Sequence, residues 1–339
     1  MMSANMPDQM IAVVLGSYTG AEALRVEQRP VPRPGKDEVL VKVAASPINP
    51  SDLAFLEGNY GFDDPPPVVP GGEGSGTVVA AGPGGMGRYL LGKKVACLWN
   101  GKGDGVWAEY MVASTQGGAL PLDKSVNLEQ GAMSTINPLT ASAFIEIAKE
   151  GGHKTIVLTA AASSLGQMVN RLGRSEGIQV INIIRKDREA EILKQQGASV
   201  ILNSSKADFD GQLHDACHQY DAHLAFDAVA GPLTGKLLEA LPQDSKVTIY
   251  SCLSYESPKL DVDYFIFQNK AVNGFWLGPW ISNKSILQIL MMWRRAQKLI
   301  STDLRTEIRA QYPLEEAKKA VKEYLNEMTG GKILLTPEH

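Results

Sequence analysis

Residues 155–167 read TIVLTAAASSLGQ, and the fold prediction starts from this stretch. Its first five residues form an apolar run typical of a strand buried in a parallel sheet, and the spacing over 165–176 predicts a helix. The small residues between them would let the backbone approach a pyrophosphate, and a helix N-terminus supplies unpaired N–H groups and partial positive charge. Although only one of the usual glycines remains, the stretch predicts a dinucleotide-binding loop whose phosphate-contacting residues are Ser163, Ser164, Leu165 and Gly166.

Strands and helices alternate regularly on the C-terminal side of this loop. Helical spacing follows each strand, and the further strands are predicted at 179–184, 199–202, 223–226, 246–251 and 271–277. Six strands with intervening helices are the pattern of a doubly wound parallel sheet. We therefore predict a cofactor-binding Rossmann domain over residues 138–278.

The N-terminal part of the chain has a different pattern. Short strands are separated by clusters of proline and glycine, and they are predicted at 11–15, 24–29, 38–45, 74–81, 93–98 and 106–113. This pattern predicts a β-rich domain over residues 1–137. The last segment, 279–339, contains two predicted helices and a strand at 332–335, and we expect it to return to the first domain.

Composition excludes several classes of protein. A chain of 339 residues suggests two domains, and 44% apolar with 21% charged residues is ordinary for a soluble protein. The net charge of −4 without a basic run argues against a nucleic-acid partner. No apolar stretch is long enough to span a bilayer and no secretory signal is recognisable, so we expect a cytoplasmic protein. Cys97, Cys217 and Cys252 lie too far apart to suggest a disulfide framework.

The end of the second predicted strand bears on cofactor choice. Residues 183–188 read IIRKDR, so the first charged residue after the strand is Arg185. NAD-specific folds place an acidic residue here for the ribose hydroxyls, whereas a guanidinium suits a 2′-phosphate through bidentate charge-assisted bonds. We therefore predict NADPH, bound by Arg185 and Arg188, while Asp187 keeps NADH open as an alternative.

Several segments together resemble a known family. They are SPINPSD at 46–52, GGEGSG at 71–76, GVWAEY at 105–110 and NPLTA at 137–141, together with the cofactor loop. On these segments the chain resembles the medium-chain dehydrogenase/reductase superfamily, in its quinone-oxidoreductase-like branch. This resemblance covers almost the whole chain and implies a GroES-like catalytic domain beside the Rossmann domain. It also implies a homodimer joined through the last strand of the cofactor domain, at 271–277.

Within that branch, three segments are similar to the mitochondrial 2-enoyl thioester reductases. They are INPSD at 48–52, EGNYG at 57–61 and GFWLGPW at 274–280. The resemblance assigns Asn49, Thr140, Phe275 and Trp276 to the cofactor, and Tyr60, Trp276 and Trp280 to the substrate pocket. Phe275 and Trp276 also fit plain core packing.

The same superfamily contains zinc alcohol dehydrogenases. Their catalytic cysteine aligns with Asn49 and their His-Glu pair with Gly72-Glu73, which leaves a single carboxylate. Residues 103–105 stand roughly where a four-cysteine structural lobe would lie. Zinc needs three or four ligands, so we expect a metal-free site.

A metal-free reduction needs another electrophile, and Tyr60 is the candidate. Hydride addition to an enoyl thioester places negative charge on the thioester oxygen, and a hydroxyl aimed at that oxygen lowers the barrier. An unperturbed tyrosine is protonated at neutral pH and can donate. The resemblance implies that Tyr60 is the catalytic acid. Asn49 either assists by bonding the nicotinamide ribose or substrate oxygen, or forms an Asx-type turn before Pro50.

Three functions stay open at this point. The first is an NADPH-dependent 2-enoyl-thioester reductase with a largely apolar pocket between the two domains. The second is a quinone or 2-alkenal reductase of the same fold. The third is an NADPH-binding sensor or structural protein with little turnover, which the glycine-poor loop favours.

Overall fold

The computed structural model describes residues 6–61 and 64–337. The chain divides into two compact units, a first unit of 1–136 with 297–339 and a second unit of 137–296. The sequence analysis ends the cofactor domain at residue 278, whereas in the structure the second unit continues to residue 296. Ion pairs explain this difference, because Lys284 pairs with Glu146 and Arg295 with Glu176, which holds residues 279–296 to the second unit.

The first unit is β-rich, as predicted. Its N-terminal part contains strands β1 (Gln9–Leu15), β2 (Leu24–Pro30), β3 (Glu38–Pro47), β4 (Glu73–Ala81), β5 (Lys94–Leu98), β6 (Tyr110–Ser114) and β7 (Ala119–Pro121), with helices α1 (Pro50–Leu56), α2 (Gly85–Leu90) and α3 (Leu128–Ala132). β1 and β2 form an antiparallel pair, and β3 pairs with both β4 and β6. Val39, Val41 and Val43 pack in one core while Leu40 packs in another, so β3 is covered on both faces.

The second unit contains a six-stranded parallel sheet. The strands are β8 (Thr155–Leu158), β9 (Gln179–Ile184), β10 (Val200–Asn203), β11 (Leu224–Asp227), β12 (Lys246–Ile249) and β13 (Ala271–Gly274). The helices are α4 (Ile136–Glu150), α5 (Ser164–Ser175), α6 (Asp187–Gln195), α7 (Phe209–Gln219), α8 (Pro232–Ala240), α9 (Asp263–Gln268), α10 (Leu277–Ser282) and α11 (Ile286–Leu299).

The order of these strands is β10-β9-β8-β11-β12-β13, which confirms the predicted doubly wound topology. The order reverses between β8 and β11, and ligands of such sheets bind beyond the carboxyl ends of the strands at this point. The predicted strand at 271–277 is too long, since β13 ends at Gly274 and Leu277 already begins α10. β13 lies at the edge of the sheet, where β12 is its one neighbour among residues 6–61 and 64–337.

The C-terminal segment belongs to the first unit from residue 297 onward. It contains β14 (Ile308–Pro313), α12 (Ala317–Asn326) and β15 (Lys332–Thr336). β15 pairs antiparallel with β3, which places Leu335 opposite Ser46 and joins the C-terminus to the sheet of the first unit. No helix among residues 6–61 and 64–337 is both long enough and apolar enough to cross a membrane.

Candidate functional site

The predicted phosphate loop lies at the carboxyl end of β8 and the N-terminus of α5. Ser163 caps the helix, and its Oγ accepts a hydrogen bond from the Gly166 N–H at 3.1 Å. Ser164 and Leu165 are the first two helical residues, so their N–H groups have no intrahelical acceptor. Ala160 adopts φ of 48°, a left-handed conformation that turns the chain sharply without a glycine. The loop thus presents backbone donors at a helix N-terminus, the usual arrangement for binding a phosphate.

Gly166 is the one glycine that the loop requires, and we expect Gly166→Ala to lower the free energy of unfolding by about 2 kcal/mol. A Cβ there would lie 2.3 Å from the Ala161 carbonyl oxygen, so helix and strand would have to separate. Gly211→Ala in α7 is the matched control, because a Cβ there meets nothing within 4 Å, and we expect it to stabilise by about 0.5–1 kcal/mol. Urea denaturation measures both, and equal effects would contradict this account of the loop.

Arg185 follows β9 directly and its side chain is exposed. The backbone N–H groups of Arg185 and Lys186 both donate to the buried Glu189 carboxylate, at 3.0 and 3.1 Å. The Glu189 carboxylate is therefore buried under the turn after β9 and holds the backbone of that turn through these two hydrogen bonds. Arg185 thus lies on the loop after β9, the strand that pairs with β8, and its role toward a 2′-phosphate stays a prediction.

Asp187, the residue that left NADH open, is already paired. Lys206 Nζ donates to its carboxylate at 2.7 Å and Asn203 Nδ2 at 2.6 Å. The hydrogen bond from Lys206 is the main reason that the pKa of Asp187 lies below its usual value. Both oxygens of this carboxylate have a partner before any ribose arrives.

A buried carboxylate that the sequence reasoning missed lies at the end of β11, next to β8. Asp227 accepts hydrogen bonds from the hydroxyls of Thr159 and Thr234, both at 2.8 Å. It also accepts from the N–H groups of Val229 and Ala230. These bonds hold the loop after β11 in shape at the point where the strand order reverses. An acidic residue ending an apolar strand was the signal that could have identified it.

Aromatic rings pack together near the carboxyl ends of the strands in the second unit. Phe144 stacks on Phe226 with ring centroids 4.0 Å apart and meets the edges of Tyr250 at 4.9 Å and Phe275 at 5.1 Å. Phe275 also lies 6.1 Å from Trp280. Phe275 is thus half-buried within an aromatic cluster and is not among the buried core residues of this unit.

The other predicted residues of this unit lie in different settings. Trp276 is 43% exposed, so the core-packing interpretation of this residue is wrong; it caps α10 beyond the end of the edge strand. Trp280 has the Lys284 ammonium over its ring at 4.4 Å. Thr140 is buried in α4.

In the first unit, Asn49 is buried at the start of α1 as its N-cap residue. Its Nδ2 donates to Glu73 Oε1 at 3.0 Å, and its Oδ1 accepts from Lys332 Nζ. Its backbone N–H donates to Asp52 Oδ2 at 2.7 Å. Asn49 therefore occupies the N-cap position before Pro50, where its backbone carbonyl accepts from the Asp52 and Leu53 N–H groups. The sequence left ligand binding and an Asx-type turn as alternatives for its side chain, which instead joins a buried polar network.

The partners of Asn49 are themselves buried and bonded. Glu73 Oε2 accepts hydrogen bonds from the Thr135 hydroxyl at 2.5 Å and the Ile136 N–H at 2.9 Å. Asp52 Oδ1 accepts from the Gly72 N–H at 2.9 Å, so Asp52 holds local structure. Burial raises the pKa of Asp52 to about 6, an effect that its backbone hydrogen bonds and the charge of Lys332 partly offset.

These residues do not fit a zinc site. Asn49 offers an amide that is already bonded at both ends, Gly72 offers no side chain, and the Glu73 carboxylate is hydrogen-bonded at both oxygens. The Lys332 ammonium, a cation, lies against Asn49. Among the residues that the structure describes, no group of three or more His, Cys, Asp or Glu could hold a metal ion.

Tyr60 lies just beyond the C-terminus of α1, partly buried against the core of the first unit. The turn that carries it is bonded to the helix, because the Gly58 N–H donates to Phe55 O at 3.0 Å and the Asn59 N–H to Ala54 O at 2.8 Å. Gly58 has φ of 72°, which favours glycine. Asn49 and Tyr60 are thus attached to opposite ends of α1, whose two caps lie roughly 12 Å apart.

Both units of the chain are similar to known protein families. Residues 35–124 match the family model described as alcohol dehydrogenase GroES-like domain, and residues 164–292 match the one described as zinc-binding dehydrogenase. The chain is 31% identical over 252 residues to the mitochondrial enoyl-[acyl-carrier-protein] reductase of Arabidopsis thaliana, a match that covers 73% of this chain and 66% of that protein.

Two further similarities cover more of the chain. The human mitochondrial enoyl-[acyl-carrier-protein] reductase is 26% identical over 313 residues, covering 88% of this chain and 81% of that protein. The crystal structure of a proposed NADPH:quinone reductase from Mesorhizobium loti superposes with a TM-score of 0.92 at 33% identity. That match covers 98% of this chain and 100% of the other.

Proposed function

The chain belongs to the medium-chain dehydrogenase/reductase superfamily, and from this premise we propose that it is an NADPH-dependent, metal-free reductase of 2-enoyl thioesters. The proposal is carried by one observation, the placement of Tyr60 on a turn bonded to α1 in a unit whose aligned metal positions do not fit zinc. The relatives named above as enoyl-[acyl-carrier-protein] reductases support the choice of substrate class.

The chemistry follows from the groups that the chain provides. When bound, NADPH supplies the hydride that adds to the β-carbon of the substrate. The Tyr60 hydroxyl then donates a hydrogen bond to the thioester oxygen where negative charge grows, and a proton reaches the α-carbon. Tyr60 thus performs the electrophilic role that zinc has in the metal-dependent members of the superfamily.

NADPH is proposed over NADH because of the charges around the β9 loop. Arg185 presents an exposed guanidinium, while Asp187 is occupied by Lys206 and Asn203. A ribose 2′-phosphate would gain charge-assisted hydrogen bonds from the guanidinium, whereas ribose hydroxyls at Asp187 would share its carboxylate with Lys206 and Asn203.

A quinone or 2-alkenal reductase is the second candidate, favoured by the similarity to the Mesorhizobium loti protein. One assay panel separates the candidates by following NADPH oxidation with crotonyl-CoA, 9,10-phenanthrenequinone and 2-hexenal. We expect crotonyl-CoA to have the highest kcat/KM. Turnover of the quinone alone would favour the second candidate, and tight NADPH binding without any turnover would favour a sensor.

We further propose that the protein is a homodimer joined through the edge strand β13. Helix α9, which precedes this strand, exposes Ile266 at 63% and Phe267 at 72%, apolar surface that a partner would cover. No strand in the described part of the chain pairs with the outer edge of β13, which a second copy could extend.

Phe267→Asp should convert this dimer to a monomer, because it places a charge in apolar surface that the partner would bury. Sedimentation velocity measures the change. Tyr89→Asp is the control, since Tyr89 is 59% exposed but belongs to the first unit. A wild-type protein that sediments as a monomer, or a Phe267→Asp variant that stays dimeric, would contradict the proposed interface.

A further inference from the structure

We propose that Lys332 is a positioning residue for the reaction, because its buried ammonium orients Asn49 and thereby anchors helix α1, which carries Tyr60. This inference rests on the proposed function for its catalytic consequence. Its structural part, that Lys332 sets the position of Tyr60, stands independently of the substrate.

The Lys332 ammonium has an acceptor for each of its three N–H groups. Lys332 is the first residue of β15 and is only 2% exposed. A protonated lysine has three N–H donors. The three acceptors around Nζ are Ile48 O at 3.1 Å, Asn49 Oδ1, and Tyr324 Oη at 3.3 Å. Two of these acceptors, on Ile48 and Asn49, belong to the segment that leads into α1. The Lys332 ammonium therefore fixes this segment against the start of β15.

The Asn49 amide has a charged partner at each end. Its oxygen faces the ammonium of Lys332, and its Nδ2 faces the carboxylate of Glu73. Rotating the amide by half a turn would place its N–H groups against the cation and its oxygen against the carboxylate, so two charge-assisted bonds would become two repulsive contacts. Lys332 and Glu73 together therefore permit one orientation of Asn49.

Helix α1 connects Asn49 to the turn that carries Tyr60. Helix α1 has seven residues, too few to be stable without tertiary anchors. At its N-terminus the anchor is Asn49, whose backbone N–H also bonds to Asp52. At its C-terminus Phe55 meets the edge of Tyr18 at 5.7 Å, and the turn with Tyr60 is bonded to the helix. We expect a displaced N-terminal anchor to tilt this short helix about its packed C-terminal end and so shift the hydroxyl of Tyr60.

The test combines enzyme kinetics with a fluorine NMR probe at Tyr60. In Lys332→Met we expect kcat for crotonyl-CoA to fall by about tenfold, the loss of one charge-assisted hydrogen bond. The Kd for NADPH should rise by less than about fivefold, because Lys332 touches the predicted cofactor residue Asn49 while the predicted phosphate loop and Arg185 belong to the other unit. Lys332→Arg, which keeps the cation, should recover part of the rate. Lys322→Met is the matched control, an exposed lysine of α12 that pairs with Glu22.

Two results separate positioning from general destabilisation. In a Tyr60→Phe background, Lys332→Met should lower the rate by less than about twofold, because the hydroxyl that it positions is absent. With 3-fluorotyrosine incorporated at position 60, the fluorine resonance should shift in Lys332→Met and stay unchanged in Lys322→Met. An equal loss of rate in both backgrounds, or an unshifted resonance, would overturn the proposal.

A second variant covers the case in which Lys332→Met does not fold. Asn49→Ala keeps Lys332 and its bonds to Ile48 O and Tyr324 Oη but removes the side-chain link to the first residue before α1, and it should shift the fluorine resonance in the same direction. No shift in this variant would also overturn the proposal. If the wild type does not reduce thioesters, the proposed function fails while the resonance still reports whether Lys332 positions Tyr60.

Discussion

Tyr60→Phe is expected to lower kcat/KM for crotonyl-CoA by about 100- to 1000-fold. The substitution removes one hydroxyl and retains the ring that packs against the core of the first unit. A positioned acid or oxyanion donor contributes effects of this size. The Kd for NADPH, measured by its fluorescence, should stay within about twofold, because the cofactor loop belongs to the second unit.

Tyr89→Phe is the control for this prediction, since it removes a hydroxyl from an exposed tyrosine of the same unit. It should leave kcat/KM unchanged. Reduction of 9,10-phenanthrenequinone should also survive in Tyr60→Phe, because electron transfer to a quinone does not need this donor. Wild-type rates with crotonyl-CoA in Tyr60→Phe would exclude the hydroxyl as the catalytic acid.

Arg185→Ala should raise the KM for NADPH by about 10- to 100-fold and leave the KM for NADH within about threefold. The exposed guanidinium is expected to bond the 2′-phosphate, and charge-assisted bonds of this kind are worth about 1.5–3 kcal/mol. Because NADH has no 2′-phosphate, it should not lose this contact. Initial rates at saturating substrate, with each cofactor varied in turn, measure both constants.

Lys194→Ala provides the comparison, because Lys194 is an exposed cation on the neighbouring α6 and pairs with Glu191. It controls for the general loss of positive charge and should leave both constants unchanged. An Arg185→Ala variant with an unchanged ratio of the two KM values would mean that other groups recognise the phosphate. Equal weakening of NADPH and NADH would point to a distorted loop instead.

Local patterns were sufficient for much of the fold. The apolar run at 155–159 and the helical spacing after it predicted β8, the loop and α5, since each depends on neighbours in the chain. The same holds for Arg185, whose place at the end of β9 follows from the length of the strand. The end of β13 could not be predicted from such local patterns. The apolar run continues to residue 277, but the strand ends at Gly274, where its pairing with β12 ends.

The polar network around Asn49 lay beyond such patterns. Lys332 reads in the sequence as the first residue of a short apolar strand, and lysine is mostly an exposed residue. Its burial against Asn49 joins positions 283 residues apart. Asp227 with Thr159, separated by 68 residues, is a second case. In both cases the sequence contains the polar residues, but it does not indicate which distant residues they bind.

The sequence by itself determined the alternation of strands and helices, the turn between β8 and α5 and the position of Arg185 after a strand, whereas Tyr60 was a candidate through the resemblance carried by the segment EGNYG. Periodicity and turn chemistry act over a few residues, so a linear reading captures them. Only the tertiary structure decided that the Asn49 side chain lies between a carboxylate and an ammonium, and that Asp187 is paired with Lys206. The physical reason is that a buried charge must find its partners through strand pairing and packing, which bring together residues distant along the chain.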